Sequence, residues 1–211
     1  MKLWSAGTYD SAQQLMYEAI DGCPRGLLKA QMLHALATRL LDLPADRERS
    51  CERAADLFRE AYEMRVESLG PKNDVFASTI IDAGRALLTA AELAPETRKT
   101  IYLLRAKGVL ERAVASLREG GVSISPSIAL ATASLSSVHA QLGEWDLAFL
   151  CAAEAKVMAF AMWPPEHPSH VTIDVNAATV VEAARKSGVE PWRLLSQHLQ
   201  QHSRVAVGRE R

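Results

Sequence analysis

Cysteine is scarce in this chain and odd in number. Cys23, Cys51 and Cys151 stand far apart among 211 residues, with no C-x-x-C pair. A disulfide framework or a thiolate zinc site therefore finds no support, and a reducing, cytoplasmic compartment is expected. Charge of one sign is missing as well: 24 Lys+Arg stand against 25 Asp+Glu, which speaks against a whole-surface grip on nucleic acid or anionic membrane. Aromatic residues make up only 6%, yet hydrophobic residues reach 48%, so a core must be built largely from aliphatic side chains and alanine. Long apolar runs are absent. The most apolar stretch, Ala148 to Trp163, is interrupted by Glu154 and Lys156, so it reads as a buried helix and not as a membrane span. The opening MKLWSAGTYDSA has one lysine and no apolar run, unlike a secretory signal.

Catalytic signatures are missing too. Gly120-Gly121 stands alone after a helical run and reads as a helix stop, not a phosphate loop. There is no G-x-S-x-G, and no cysteine and histidine in a recognisable catalytic context. His198 and His202 lie one helical turn apart, and His167 lies near His170, but no H-E-x-x-H motif accompanies either pair. Glu52, Asp56, Glu60 and Glu63, interleaved with Arg53, Arg59 and Arg65, read as an exposed helix face laced with weak charge pairs. The chain is thus expected to be non-enzymatic, with no cofactor and no metal.

What is present is a repeat. Steps of four and then three residues give Ala12, Met16, Ala19; then Ala54, Phe58, Ala61; then Ala106, Leu110, Ala113; then Ala148, Ala152, Ala155. Such spacing puts each trio on one helix face, where small residues admit a neighbouring helix and the middle one fills the gap. Upstream, Pro24, Pro71 and Pro165 each stand six residues before a helix-like run, and Asp74, Pro126 and Pro168 align with one another as helix entries. Ser125-Pro126 has the form of an N-cap followed by proline at the first helical position, and Gly188 suits a left-handed helix stop. The phrases GTYDSA (Gly7 to Ala12) and GEWDLA (Gly143 to Ala148) share a pattern and are both read as hinges between paired helices.

The expected helices cover 8–22, 27–42, 51–69, 73–92, 98–119, 126–142, 145–162, 169–187 and 191–202. No segment alternates apolar and polar residues long enough for a strand. The fold class is therefore all-α, with about nine helices in antiparallel pairs forming a single domain over 1–203 and a tail at 204–211. This small, large, small grammar resembles tetratricopeptide repeats, a resemblance that covers the chain from about Gly7 to Gln201. Leu135-Ser136 and His139, with Ala83-Gly84 and Leu87, stand where that family has its first-helix signature, and Ala61 to Val75 resembles the longer repeats of kinesin light chains. The intervals between Ala12, Ala54, Ala106 and Ala148 are 42, 52 and 42 residues, longer than the usual pitch of about 34. A weaker resemblance links the irregular repeats to the C-terminal helical domain of SET and MYND methyltransferases.

The resemblance implies a right-handed α-solenoid that binds a protein or peptide partner along a concave wall of first helices. The expected wall residues are Gln31, His34 and Thr38; Ser78, Arg85 and Thr89; Ser137 and Gln141; and Thr172, Asn176 and Thr179. An amide such as that of Asn176 both donates and accepts, as a peptide unit requires, and Arg85 can fork onto a carboxylate. Two other roles remain open: an accessory domain of a larger, methyltransferase-like enzyme, and a homodimer packed through Met158, Met162 and Trp163. The first recognisable helix lacks a partner, so either Trp4 plugs that end or the chain was cut from something longer.

Overall fold

A computed structural model describes the backbone of residues 6–43, 46–70 and 74–189, with the side chains of 6–13 and 74–76 left aside. Eight helices and no strand occur among the described residues: α1 (Ala6–Gly22), α2 (Leu27–Leu41), α3 (Arg47–Leu69), α4 (Asp74–Leu93), α5 (Glu96–Glu119), α6 (Pro126–Gln141), α7 (Trp145–Met162) and α8 (Pro168–Lys186). The expected ninth helix, 191–202, lies outside the described residues, as do Trp4, His198 and His202. The helices fall into two compact units, Met1–Ser123 and Ile124–Arg211.

Local chemistry explains the boundaries. Asp74, Pro126 and Pro168 are the first residues of α4, α6 and α8, as their alignment predicts. At α6 the Ser125 hydroxyl accepts a hydrogen bond from the Ile128 amide at 3.1 Å, satisfying one of the orphan donors of the first turn. Gly121, Gly143 and Gly188 take φ of 86°, 75° and 73° just beyond α5, α6 and α8. The amides that follow reach back to Leu117, His139 and Ala184, closing each helix with its last carbonyls occupied. Gly7, by contrast, lies inside the first turn of α1, so among the described residues GTYDSA is helix and GEWDLA is the turn from α6 into α7.

α3 starts four residues before the expected Cys51. Asp46 adopts a left-handed φ of 47°, and its carbonyl accepts from the Ser50 amide, so the helix forms ahead of its first apolar residue. The extra turn carries Glu48, whose carboxylate is held by Arg98 of α5 at 3.0 Å.

In the first unit α1 to α5 pack in chain order, α2 on α3, α3 on α4 and α4 on α5, as short connections between helices require. The trios centred on Phe58 and Leu110 are fully buried, and Gly84 of α4 sits where α5 comes closest. The trio of α1 departs from the pattern: Met16 is half-buried and Ala19 exposed, because α1 packs only lightly on α2. In the second unit α6 packs on both α7 and α8. From Ser127 to Ala140 only Leu130 and Ser137 escape full burial, so α6 is a core helix with no exposed face. Ala148, Phe149, Val180 and Ala184 close the core around it. No helix among the described residues is long and apolar enough to cross a membrane.

Candidate binding surfaces

In the first unit the predicted wall residues lie on α2 and α4, both of which pack on α3. His34 is their centre. Its ring stands edge-on to Phe58 at 5.0 Å, and its buried Nδ1 has no hydrogen-bond partner. Burial holds the His34 pKa below the usual imidazole value, the nearby Arg65 guanidinium pushes it further down, and Asp82 partly opposes them. The imidazole is therefore neutral near pH 7, with one nitrogen left as an acceptor.

Asp82, which the sequence reading passed over, and Arg65, which it placed on the exposed charged face of α3, complete this group. Asp82 of α4 is half-buried; desolvation raises its pKa, against the pull of Arg85 and His34. Arg65 of α3 donates to the buried Thr79 hydroxyl, and burial lowers its pKa. Asp82 was findable, since it stands one helical turn before Arg85. Arg65 was not, because the period of α3 gives its direction but not the Thr79 hydroxyl it meets.

Arg85 is exposed and approaches Asp82 only at 3.9 Å, so much of its fork remains open. Gln31 is exposed and Thr89 half-buried. The hydroxyls of Thr38 and Thr89 donate to the carbonyls of His34 and Arg85 one turn back, which leaves them as acceptors only.

The second unit holds the other predicted residues. Ser137 and Gln141 are half-buried on α6, and Asn176 is half-buried on α8, where Thr172 and Thr179 are exposed. Thr179 donates to the Val175 carbonyl and so resembles Thr38 and Thr89. Nearby, the α7–α8 joint is an aromatic cluster. Trp163 stacks on His167 at 5.0 Å, and His170 Nε2 lies 3.2 Å from the Trp163 carbonyl. The His167 Nδ1 accepts from the Ser169 amide at 3.2 Å and caps α8. Both histidines thus have structural roles at the joint.

The acidic face of α3 is more ordered than the sequence reading held. Arg105 of α5 forks onto Glu52 at 2.7 Å and Asp56 at 2.9 Å, and the Tyr102 hydroxyl donates to Glu52 at 2.9 Å. A scan against protein-family models finds no match to the chain, and a search of curated proteins finds none either.

Proposed function

We propose that this chain is a non-enzymatic protein-interaction module of the tetratricopeptide type, a right-handed solenoid of helix pairs whose first helices receive a peptide or a helical segment of a partner. The carrying observation is the group on α2, α3 and α4: a neutral His34 whose Nδ1 has no partner, and an Arg85 only weakly engaged by Asp82, on whose charge both act. Buried polar atoms without partners are rare and call for a ligand or solvent to satisfy them. A peptide offers both complements: its N–H groups suit an acceptor, and its carbonyls or carboxylates suit the arginine. Packing of each helix on its chain neighbours in the first unit supports the repeat reading, since repeat stacks bury their faces in that way. In the second unit Gln141 and Asn176 supply amides suited to a peptide backbone.

Affinity capture with mass spectrometry tests the proposal, with Arg85→Glu and Asn176→Ala prepared as separate variants of matched helicity and melting. A prey retained by wild type and lost with Arg85→Glu supports the wall of the first unit. Loss with Asn176→Ala supports that of the second. Equal recovery with all three proteins refutes both walls.

Self-association is a second reading with its own observation. Met158 is buried, and Met162 and Trp163 are half-buried. Leu150, Val157 and Phe160 nevertheless leave α7 with an exposed apolar stripe, Val157 and Phe160 being 69% and 66% exposed. Sedimentation at increasing concentration decides whether that stripe joins two copies.

A further inference from the structure

The outer face of the second unit, where α7 and α8 lie side by side, shares no residue with the proposed peptide wall. Lys156 bonds to Asp174 at 2.9 Å and the Phe160 ring stands 5.1 Å from that of His170, so the two helices run antiparallel. Apolar side chains flank that bridge on both helices. Val157 and Phe160 of α7 are 69% and 66% exposed, and Val171 and Val175 of α8 are 65% and 58% exposed. Scattered singly, such side chains are ordinary on a surface; gathered on one face, they mark an interaction site.

The pattern along α7 is that of a seat for a helix. Asp146, Leu150, Ala153, Val157 and Phe160 are all exposed and follow one another at steps of four, three, four and three. That spacing keeps them on one stripe about 21 Å long, and it matches the ridge of a second helix laid along it. Ala153 keeps the middle of the stripe low, so the second helix can approach closely.

The charge around the stripe has one sign. From Trp145 to Val175 the acids Asp146, Glu154, Glu166 and Asp174 stand against one lysine, Lys156, and no arginine. That lysine is taken by Asp174. Asp146 and Glu166 are exposed and make no ion pair among the described residues. A field of that sign repels an anionic lipid surface, and a second copy brings the same acids with no unpaired lysine to meet them.

We propose that this face docks a basic amphipathic helix of a partner protein, its apolar ridge along Leu150, Val157 and Phe160 and its lysines or arginines facing Asp146 and Glu166. Val171 and Val175 cover the flank of that ridge. Burial of the exposed side chains supplies the affinity, and the acids select the charge of the partner.

Fluorescence anisotropy of the full chain with a labelled, amidated 14-residue peptide of about 21 Å tests this. The leucines of the peptide repeat at steps of three and four, and its other residues are lysine. It should bind, and the same peptide with glutamate in place of lysine should bind at least about tenfold more weakly. Phe160→Ser should weaken the lysine peptide by about tenfold and Val157→Ser by about fivefold, both at exposed positions where folding is spared. Asp146→Asn should weaken it by about threefold. Leu28→Ser, at an exposed leucine of α2, should leave it unchanged. The proposal is overturned if the lysine peptide does not bind, if the glutamate peptide matches it, or if Phe160→Ser and Val157→Ser bind as wild type does. Retention of the chain on phosphatidylglycerol vesicles assigns the face to lipid, and a sedimenting dimer that Phe160→Ser dissolves assigns it to a second copy. Either result also overturns the proposal.

Discussion

Replacing Gly84 by alanine should destabilise the protein, whereas the same change at Gly108 should stabilise it. Both glycines lie inside long helices, so both substitutions gain the same helix propensity, about 0.5–1 kcal/mol. Their surroundings differ. A Cβ on Gly84 would stand 2.5 Å from Cγ and 2.6 Å from Cδ2 of Leu110, which is wholly buried, so one of the two must shift. Overpacking of that kind costs about 1–3 kcal/mol. A Cβ on Gly108 meets open space. The stability difference between the two variants should therefore be about 1–3 kcal/mol, because propensity cancels and the clash remains. Urea titration followed by far-ultraviolet circular dichroism measures it. Leu110→Ala alone should cost about 2–5 kcal/mol, and the Gly84→Ala, Leu110→Ala double variant should cost less than the sum of the singles. The close approach of α4 and α5 is refuted if Gly84→Ala matches Gly108→Ala, or if the double variant is simply additive.

Phe58→Ala should cost about 3–5 kcal/mol in the same assay, since the ring is 2% exposed at the centre of the first unit. Ser125→Ala should cost about 0.5–2 kcal/mol by removing the cap of α6; a loss below that range would mean that the Ile128 amide finds another partner. His34 stays neutral in the folded chain below the pH at which it protonates when unfolded, about 6.5. Its contribution is thus present above that pH and lost as pH falls towards the folded value. Wild type should lose more stability between pH 7 and 5 than His34→Gln, and parallel curves would contradict the assigned burial. Tyr102, pushed up to about 12 by burial and by its bond to Glu52, should ionise later than an ordinary tyrosine in an ultraviolet titration. Glu52→Gln should bring that titration down.

The helices were legible because their signals are local. Proline or Asp at the first position, Ser125 as a cap, and glycine beyond the last turn act through bonds spanning three to five residues. The trios centred on Phe58 and Leu110 were legible for the same reason, since helical period fixes which residues share a face. The first trio shows where that reasoning ends. Met16 and Ala19 share a face as the spacing demands, yet α1 finds too little to pack against for that face to be buried. Gly7 likewise matches Gly143 in its local words, but Gly7 lies within α1 whereas Gly143 lies between α6 and α7.

The wall residues divide along the same line. That His34 and Arg85 sit on helices, α2 and α4, follows from spacing alone. That His34 is half-buried against Phe58, or that Arg65 lowers its pKa, depends on α3 lying between their helices. The ion pairs between α3 and α5 are the sharpest case: Glu52 and Arg105 are 53 residues apart, and nothing in either segment names the other. By itself, the sequence determined most helix starts and stops and which residues share a face, because backbone capping and the 3.6-residue period act over a few bonds. Only the tertiary structure decided which charges meet and which imidazole loses its water. Those outcomes depend on distances across α4, which the packing of Gly84 against Leu110 helps to set.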